Sequence, residues 1–335
     1  MRHDDRPTFR VSELADLLAD RLVPVGYSRL GYRLRRAHWP TGDPAPGALR
    51  GRTAMVTGAN SGLGQATVAG LATMGATVVM VVRDETRGAE ARAQVMRQLP
   101  GAEVVVQRCD VSDLDDVRRF AADSRTRWPV IDVLVHNAGV LPAQRRETVQ
   151  GHEITLATHV LGPLLLTEGL RPALAASTDA RVIMVSSGGM YTQPLPGDDL
   201  EYRGDRYRGA VAYARTKRLQ VALTPLLARR YAPQGVGVYA MHPGWADTPG
   251  VAGSLPGFHR VAQALLRTPT EGADTTCWLA ATRPAPRAGS FWHDRRPRPT
   301  HYVRCRRDDP ARLGRAWRYC LTAVDLDDEE NGSET

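Results

Sequence analysis

Three side chains in the second half of the sequence could together move a proton. Tyr213 and Lys217 are four residues apart in the helical stretch 210–230, so their side chains share one helical face. A phenol has a pKa of about 10 and is a poor base at neutral pH, but a neighbouring ammonium stabilises phenolate and lowers that pKa. Ser187 ends a preceding apolar run and could hydrogen-bond the same substrate oxygen. This combination predicts acid–base chemistry at an oxygen atom.

Lys217 is the only lysine among the 44 basic residues of the chain. A bias this strong reflects coding composition, because exposed positions accept either cation. A single remaining lysine suggests that position 217 cannot use a planar, permanently charged guanidinium and needs a compact amine with an adjustable pKa. Chance survival of one lysine is the alternative.

A glycine-rich loop is predicted to bind a dinucleotide. The segment 57–64 reads TGANSGLG and lies between an apolar run and a helical stretch. Its glycines let the backbone turn tightly and approach a ligand, and the helix N-terminus offers free N–H groups to a pyrophosphate. Glycines also serve plain turns, but the strand–turn–helix context favours the dinucleotide. The residues expected to contact it are Gly58, Asn60, Ser61, Gly62, Leu63 and Gly64. With a nicotinamide bound there, hydride transfer could accompany proton transfer by Tyr213.

The end of the second apolar run bears on which dinucleotide binds. Such folds place an acidic residue there for the ribose 2′-hydroxyl, or an arginine for a 2′-phosphate. Here the run 77–82 is followed by Arg83 and Asp84. We therefore expect Arg83 to bind NADP. Asp84 could reach a ribose hydroxyl, which keeps NAD possible, and Arg83 could also be a solvated loop cation.

Polar residues follow the next two apolar runs, in the segments Asp110-Val111 and Asn137-Ala138-Gly139. Because an open parallel sheet binds ligands at the carboxyl ends of its strands, all five residues are candidates for cofactor contacts. Asp110 could instead cap the helix that begins near Asp113. Asn137 could simply stabilise its own turn.

Apolar runs and helical stretches alternate from residue 52 to about residue 293. Several runs are nearly continuous in Val, Ile and Met, as in strands buried on both faces. The alternation predicts an α/β fold: one Rossmann-type domain with a doubly wound parallel sheet of about seven strands. The predicted strands are Thr53–Thr57, Thr77–Val82, Glu103–Gln107, Ile131–Val135, Arg181–Ser186, Val236–Met241 and Ser290–His293. The predicted helices are Gly62–Met74, Thr86–Gln98, Leu114–Arg127, Ile154–Ala175, Ala210–Arg230, Thr270–Arg283 and Pro310–Ala323.

Shorter segments flank this domain, which is expected to cover residues 49–300. Residues 1–48 are predicted to be a helical extension that covers an apolar face of its own protein or lies on a membrane surface. Residues 301–335 are predicted to hold a helix, with Asp308 and Asp309 as caps, and an acidic disordered tail. The helical repeat of the extension is formed by Val11, Leu14, Leu18 and Leu22, and the prolines expected to break and end it are Pro24, Pro40, Pro44 and Pro46.

Composition excludes several classes of protein. With 42% apolar and 24% charged residues the chain is an ordinary globular protein, and no run of 18 apolar residues could span a membrane. The net charge of +8 is spread along the chain and aromatic residues are few, which argues against nucleic-acid binding. The four cysteines lack zinc-binding spacing, so we expect no metal and reduced thiols in a cytoplasmic protein.

Taken together, the motifs resemble the short-chain dehydrogenase/reductase superfamily over roughly residues 50–295. They occur in that family's order: the glycine loop, Asp110-Val111, Asn137-Ala138-Gly139, Ser187, Tyr213-x3-Lys217, and Pro243-Gly244 with Thr248. Longer stretches, including MHPGWADTPGV at 241–251, are similar to the subgroup of dehydrogenase/reductase family member 12.

The resemblance implies roles for individual residues. Tyr213 is implied to be the acid/base, Lys217 its partner and a binder of the nicotinamide ribose, and Ser187 the hydroxyl that orients the substrate. Homodimers or homotetramers are also implied. The residues implied to flank the nicotinamide carboxamide are Pro243, Gly244 and Thr248.

His159 departs from the family pattern, because family members usually carry asparagine at this position. That asparagine is expected to hold a water that relays protons from the lysine. A histidine could hold water or titrate itself, and so act in catalysis, or its bulk could close the relay and leave it a packing role.

The sequence therefore predicts an NADP(H)-dependent oxidoreductase that interconverts an alcohol and a carbonyl on an apolar small molecule. The alternative is a cofactor-binding protein with weak or no catalysis that acts as a sensor or partner-binding module.

Overall fold

An eight-stranded sheet forms the centre of the protein. The computed structural model describes residue 16 and residues 20–204, 206–247, 257, 260, 262–302 and 307–328. The sheet order is β3-β2-β1-β4-β5-β6-β7-β8, and all neighbouring strands pair in parallel except β7 and β8. The strands are β1 Thr53–Thr57, β2 Thr77–Val82, β3 Val104–Arg108, β4 Val133–His136, β5 Arg181–Val185, β6 Gly237–Met241, β7 Phe291–His293 and β8 Arg296–Pro297.

The predicted doubly wound fold is confirmed, with one more strand than expected. The strand β8 contains two residues, one of them a proline, and such a segment carries no strand pattern in sequence. The α-helices are α1 Val23–Gly26, α2 Arg29–Arg36, α3 Gly62–Thr73, α4 Glu85–Gln98, α5 Leu114–Arg127, α6 Ile154–Leu156, α7 Gly162–Gly169, α8 Arg171–Ala175, α9 Gly209–Tyr231, α10 Pro269–Ala281 and α11 Pro310–Ala323.

Helices cover both faces of the sheet and bury an apolar core on each. On one face, side chains of α5, α7, α9 and α11 pack against the sheet, and Val117, Leu164 and Leu223 are among the buried residues. On the other, α3, α4 and α10 bury residues such as Leu71 and Leu279. Because both faces are covered, ligands can reach the sheet only at the ends of its strands.

The segment predicted as one helix over Ile154–Ala175 is broken into four pieces. A π-helix over Ala157–Leu161 separates α6 from α7, and α8 follows α7 with a bend. Pro163 and Pro172 each lie in the first turn of a new piece, where the missing N–H has no helical partner to lose. This π-helix contains His159, whose side chain is fully buried.

The N-terminal extension differs from its prediction. Of the predicted helical repeat Val11–Leu22, only residue 16 and residues 20–22 are among those described. Pro24 lies inside α1 rather than ending the helical region, and α2 follows it. A Cβ on Gly31 would lie 2.2 Å from the carbonyl oxygen of Val25, so α1 and α2 pack closely. The sequence analysis missed both helices.

The C-terminal helix α11 is confirmed with the predicted bounds. Asp309 caps it by accepting a hydrogen bond from the backbone N–H of Ala311 at 3.1 Å. Asp308 does not cap the helix, because its carboxylate pairs with the guanidinium of Arg218. In the described ranges, none of the helices has the length and apolar character needed to cross a lipid bilayer.

Candidate active site

The glycine loop between β1 and α3 forms one end of a cleft at the carboxyl ends of the strands. Gly58 has a φ of +62°, which favours glycine, and a Cβ there would lie 2.8 Å from the Cα of Ala138. A Cβ on Gly64 would lie 2.2 Å from the carbonyl oxygen of Gly58. The side chain of Ser61 does not cap α3, so the first N–H groups of this helix are left for a ligand. This cradle fits the pyrophosphate of a dinucleotide.

Asn137 ties the loop after β4 to the glycine loop. Its side-chain Nδ2 donates hydrogen bonds to the carbonyl oxygens of Thr57 at 2.9 Å and Gly58 at 3.1 Å. The backbone N–H groups of Asn137 and Ala138 both donate to the Thr57 hydroxyl. The side chain therefore stabilises two loops rather than only its own turn.

Asp110 and Val111 line the cleft beyond the end of β3. Asp110 Oδ1 accepts hydrogen bonds from the backbone N–H of Ser112 at 3.0 Å and from its hydroxyl at 2.7 Å. Asp113, not Asp110, caps α5. The capping alternative for Asp110 is therefore wrong, and its carboxylate instead shapes the turn that forms the cleft wall.

Two arginines line the cleft at the end of β2. The structure places Arg83 there as predicted, with an exposed side chain. Asp84 caps α4 by accepting from the backbone N–H of Arg87 at 3.1 Å, so one of its carboxylate oxygens is already used. The side chain of Arg87 is 73% exposed and lines the same end of the cleft. The sequence analysis missed Arg87, although its spacing of four residues from Arg83 is a usable signal.

Ser187, Tyr213 and Lys217 come together in the cleft wall, where α9 passes the end of β5. The side chains of Ser187 and Tyr213 both line this wall. The hydroxyl of Ser187 accepts a hydrogen bond from the N–H of Gly189 at 3.1 Å. Lys217 is 2% exposed, and its Nζ donates to the carbonyl oxygen of Val185 at 2.8 Å. The same Nζ lies 5.6 Å from the centre of the Tyr213 ring.

The protonation of this pair differs from the expectation. Burial raises the pKa of Tyr213 above its ordinary value, and the nearby Ser187 hydroxyl offsets only part of that rise. Burial also lowers the pKa of Lys217 to about 7. The prediction that the pKa of Tyr213 lies below its ordinary value is therefore wrong, because desolvation acts on both groups and favours their neutral forms.

His159 is the one predicted catalytic residue that the structure does not bring to the cleft wall. It is fully buried behind Gly139, and a Cβ added to Gly139 would lie 3.3 Å from Nε2 of His159. Nε2 accepts a hydrogen bond from the N–H of Val140 at 3.0 Å, so Nδ1 carries the proton toward the Thr216 hydroxyl at 2.8 Å. Burial, with a smaller effect of the Lys217 charge, holds the pKa of His159 well below its usual range. This placement agrees with the packing alternative.

The loop after β6 closes the other end of the cleft. Pro243 and Gly244 line it as predicted, together with Trp245 and Ala246. Thr248 lies outside the described residues. The N–H of Trp245 donates to the carbonyl oxygen of Tyr27 at 2.8 Å, so the N-terminal extension contacts this loop directly.

Charged side chains buried behind this loop join the two ends of the chain. Arg267 and Asp294, each 1% exposed, form a bidentate pair with N–O distances of 2.6 and 2.9 Å. Arg267 also donates to the carbonyl oxygens of Gly26, Tyr27 and Ser28 at 3.0 to 3.2 Å. We call the following residues the buried ion cluster: Asp16, Asp20, Arg35, Arg267, Asp294 and Arg298. The sequence analysis missed it, because its members share no local spacing.

The cleft as a whole has a volume of about 690 Å³, within the range of small-molecule and cofactor sites. Charged side chains line two edges of the cleft, one with Arg83 and Arg87 and one with Asp110, and Lys217 lies near its centre. Apolar side chains also line the cleft, together with the hydroxyls of Thr158 and Thr192; the apolar residues include Val140, Leu141, Ile154, Ala210, Trp245 and Ala246. Fold and site together define a dinucleotide-binding oxidoreductase.

Comparison with known proteins agrees with this class. A family model described as short chain dehydrogenase matches residues 52–256. The chain is 42% identical over 254 residues to dehydrogenase/reductase SDR family member 12 of Bos taurus, covering 75% of this chain and 79% of that protein. It is 35% identical over 271 residues to retinol dehydrogenase 14 of Homo sapiens, covering 75% of this chain and 78% of that protein.

A solved structure shares the fold. It comes from Beutenbergia cavernae and is described as an NAD(P) dependent gluconate 5-dehydrogenase with NADP bound at low occupancy. The identity is 26% and the TM-score 0.57, covering 71% of this chain and 92% of that one. The chain therefore belongs to the short-chain dehydrogenase/reductase family and is a dehydrogenase/reductase acting on CH–OH and C=O groups.

Proposed function

We propose that this protein is an NADP(H)-dependent oxidoreductase that interconverts an apolar alcohol and its carbonyl compound, with Ser187, Tyr213 and Lys217 as the reacting group. The observation that carries the proposal is that Ser187, Tyr213 and the buried Lys217 line the same cleft, with the lysine one helical turn from the tyrosine. Two hydroxyls in one cleft wall can both reach one substrate oxygen.

The residues have distinct tasks in this reaction. Ser187 holds the substrate oxygen, and Tyr213 exchanges a proton with it at the phenol oxygen. The raised pKa of Tyr213 favours the protonated phenol, which can donate its proton to a carbonyl oxygen during reduction. Lys217 stabilises the tyrosinate that remains. A bound nicotinamide supplies or accepts the hydride.

The cofactor assignment rests on the chemistry of the cleft edges. The glycine cradle and the uncapped start of α3 suit a pyrophosphate. Arg83 and Arg87 on one edge suit a 2′-phosphate, whereas Asp84 is engaged as a helix cap. The solved structure from Beutenbergia cavernae, described with NADP bound, supports the same choice. These features favour NADP over NAD.

The substrate class rests on the apolar side chains of the cleft wall. An apolar substrate makes few hydrogen bonds to water, so it can move from water to such a wall without a compensating hydrogen bond. The name of retinol dehydrogenase 14 assigns an apolar alcohol to that relative. We therefore propose apolar alcohols, aldehydes and ketones as substrates.

The decisive experiment is the substitution Tyr213→Phe in the full chain. With a panel of apolar aldehydes and ketones, we expect NADPH oxidation at 340 nm to fall by about 10²–10⁴-fold, since a positioned acid/base contributes that much. NADPH binding, measured by its fluorescence, should stay within threefold. Tyr207→Phe is the matched control, because Tyr207 precedes α9 but bonds Glu153 instead of facing the cleft.

Two results would contradict the proposal. If Tyr213→Phe turns over as fast as the wild type, Tyr213 is not the acid/base. If the wild type binds NADPH but no member of a broad panel of carbonyls and alcohols changes nicotinamide absorbance, the non-catalytic sensor or binding module replaces the enzyme.

A further inference from the structure

Tyr27 lies between α1 and α2 and is buried behind two loops that line the cleft. Its side chain is 2% exposed. The first loop, residues 186–189 after β5, contains Ser187, and we call it the serine loop. The second, residues 243–246 after β6, is called the cleft loop. Because both loops form the cleft wall, a residue packed behind them can set the distance between them.

The aromatic ring of Tyr27 packs directly against the serine loop. A Cβ added to Gly188 would lie 2.5 Å from Cε2 and 3.0 Å from Cδ2 of Tyr27. Gly188 has no positive φ that would itself require glycine. The position therefore excludes a side chain because the ring of Tyr27 already fills the space. Through Gly188 the ring supports the residue that precedes it, Ser187.

The backbone of Tyr27 contacts the cleft loop. Its carbonyl oxygen accepts a hydrogen bond from the N–H of Trp245 at 2.8 Å. A Cβ added to Gly244, which has a φ of +74°, would lie 2.7 Å from the same oxygen. One residue of the N-terminal extension thus touches both loops, the serine loop with its ring and the cleft loop with its carbonyl oxygen.

Tyr27 is itself held on several sides. Its hydroxyl donates to the hydroxyl of Tyr302 at 3.1 Å, because the Tyr302 hydroxyl donates to the Asp20 carboxylate at 2.7 Å. Its ring centre lies 4.6 Å from that of His242 and 5.3 Å from that of His293. Both imidazoles are fully buried and stack on each other at 3.8 Å. The ring is therefore a fixed spacer.

We propose that Tyr27 is a positioning residue for the reaction, because its ring and its carbonyl oxygen together set the separation of the serine loop and the cleft loop. The inference rests on the proposed function, in which Ser187 holds the substrate oxygen. Hydride and proton transfer need the reacting atoms in register, and a displacement of about 1 Å can cost about a hundredfold in rate. Tyr27 acts only through the two loops.

The substitution Tyr27→Leu in the full chain tests the proposal. Leucine leaves a gap behind Gly188 but keeps the backbone carbonyl oxygen. We expect kcat for carbonyl reduction to fall about tenfold or more, because Ser187 loses its support. The Kd for NADPH, measured by its fluorescence, should stay within threefold. Tyr27→Phe keeps the ring and should recover most of the lost turnover.

A buried tyrosine elsewhere controls for lost stability. Tyr231 is 1% exposed and donates to Glu168 at 3.0 Å, at the far end of α9 from the cleft. With active sites counted by NADPH titration, Tyr231→Leu should keep kcat within threefold of the wild type. The proposal is overturned if Tyr27→Leu turns over as fast as the wild type, or if Tyr231→Leu loses as much kcat.

Gly188→Ala tests the same contact from the serine loop. The added methyl group would push the ring and the loop apart, so kcat should fall about tenfold in the wild-type background. In Tyr27→Leu, where the ring is gone, the same substitution should lower kcat by less than twofold further. Effects that multiply in the double variant would show that the ring does not act through Gly188, and would overturn the proposal.

Hydrogen–deuterium exchange gives a readout that needs no turnover. In Tyr27→Leu, backbone N–H groups of residues 186–192 and 243–247 should exchange faster than in the wild type. Should that variant fail to fold, Gly188→Ala should still speed exchange at Trp245, because the displaced ring moves the carbonyl of the same residue. Unchanged exchange in the cleft loop overturns the proposal. Failure of the proposed function shows differently, as full turnover in Tyr213→Phe.

Discussion

The cleft and the buried ion cluster use polar groups in opposite ways. The cleft relies on backbone N–H groups, two neutral hydroxyls and one buried amine whose partner is a carbonyl oxygen. The cluster relies on charged side chains that neutralise one another in ion pairs, such as the bidentate pair of Arg267 and Asp294. The first arrangement leaves groups available for a ligand, whereas the second pairs opposite charges with one another and holds the backbone through the carbonyl oxygens of residues 26–28.

The difference shows how the site and its support divide their tasks. The cluster joins the N-terminal extension to β7, β8 and the loop before α10, and through Tyr27 to the cleft loop. Removing a charge from it should lower stability, whereas a change at Lys217 should lower turnover. The following predictions test that division, beginning with the largest effect.

Asp294→Asn should destabilise the protein by about 3–5 kcal/mol, since it leaves the buried arginines without their counter-charge. Asparagine keeps the size of the side chain and tolerates the φ of +50° at this position. The free energy of unfolding in urea measures the effect. Asp198→Asn is the matched control, because Asp198 pairs with Arg315 at 2.7 Å but is 78% exposed, and it should cost at most about 1 kcal/mol. Equal losses in both variants would refute a special role for the cluster.

Lys217→Arg should lower kcat/KM for carbonyl reduction by about a hundredfold while the fold is retained. The buried position at the Val185 carbonyl oxygen suits a compact amine, and a guanidinium is larger and keeps its charge. Arg97→Lys, at an exposed helix end, is the control for the exchange itself and should have no effect. If Lys217→Arg turns over as fast as the wild type, position 217 does not require a lysine.

Arg83→Ala/Arg87→Ala should raise the KM for NADPH about tenfold or more and leave the KM for NADH nearly unchanged. The reason is that a 2′-phosphate loses charge-assisted hydrogen bonds that the 2′-hydroxyl of NADH never made. Initial rates with each cofactor measure the change. A parallel rise in both KM values would assign these arginines to general electrostatics rather than to the 2′-phosphate.

Acid should weaken the wild type more than Asp294→Asn. Desolvation raises the pKa of the Asp294 carboxyl, but the charges of Arg267 and Arg35 outweigh it and hold that pKa well below its usual value. The unfolded chain therefore binds a proton at a higher pH than the folded chain, so stability falls as pH falls below about 4, by about 1.4 kcal/mol per unit. Unfolding curves between pH 5 and 3 give the difference, and parallel pH profiles for both proteins would disprove it.

Prediction from sequence succeeded where chemistry depends on local spacing. The glycine loop, the Tyr213–Lys217 helix and the strand ends at Asp110 and Asn137 all lie where the sequence places them, because a parallel sheet gathers the carboxyl ends of its strands at one edge. The fold was predictable for the same reason, apart from the helices α1 and α2, the two-residue strand β8 and the breaks before α7 and α8. Arg87 was within reach of the same reasoning and was overlooked.

The remaining features depended on contacts between distant residues. The two ring nitrogens of His159 form hydrogen bonds with the N–H of Val140 and the hydroxyl of Thr216, and only the folded chain shows these bonds. The pKa of Tyr213 was misjudged because spacing gives the distance to Lys217 but not the burial that opposes ionisation.

The sequence by itself determined which residues can hold a dinucleotide and move a proton, because helix and strand periodicities convert spacing into direction over a few residues. Only the tertiary structure decided that the N-terminal extension supports the cleft through Arg267 and Asp294, and that burial raises the pKa of Tyr213. Charge pairing across hundreds of residues and the loss of hydration depend on the whole packed molecule, and no short stretch of sequence encodes them.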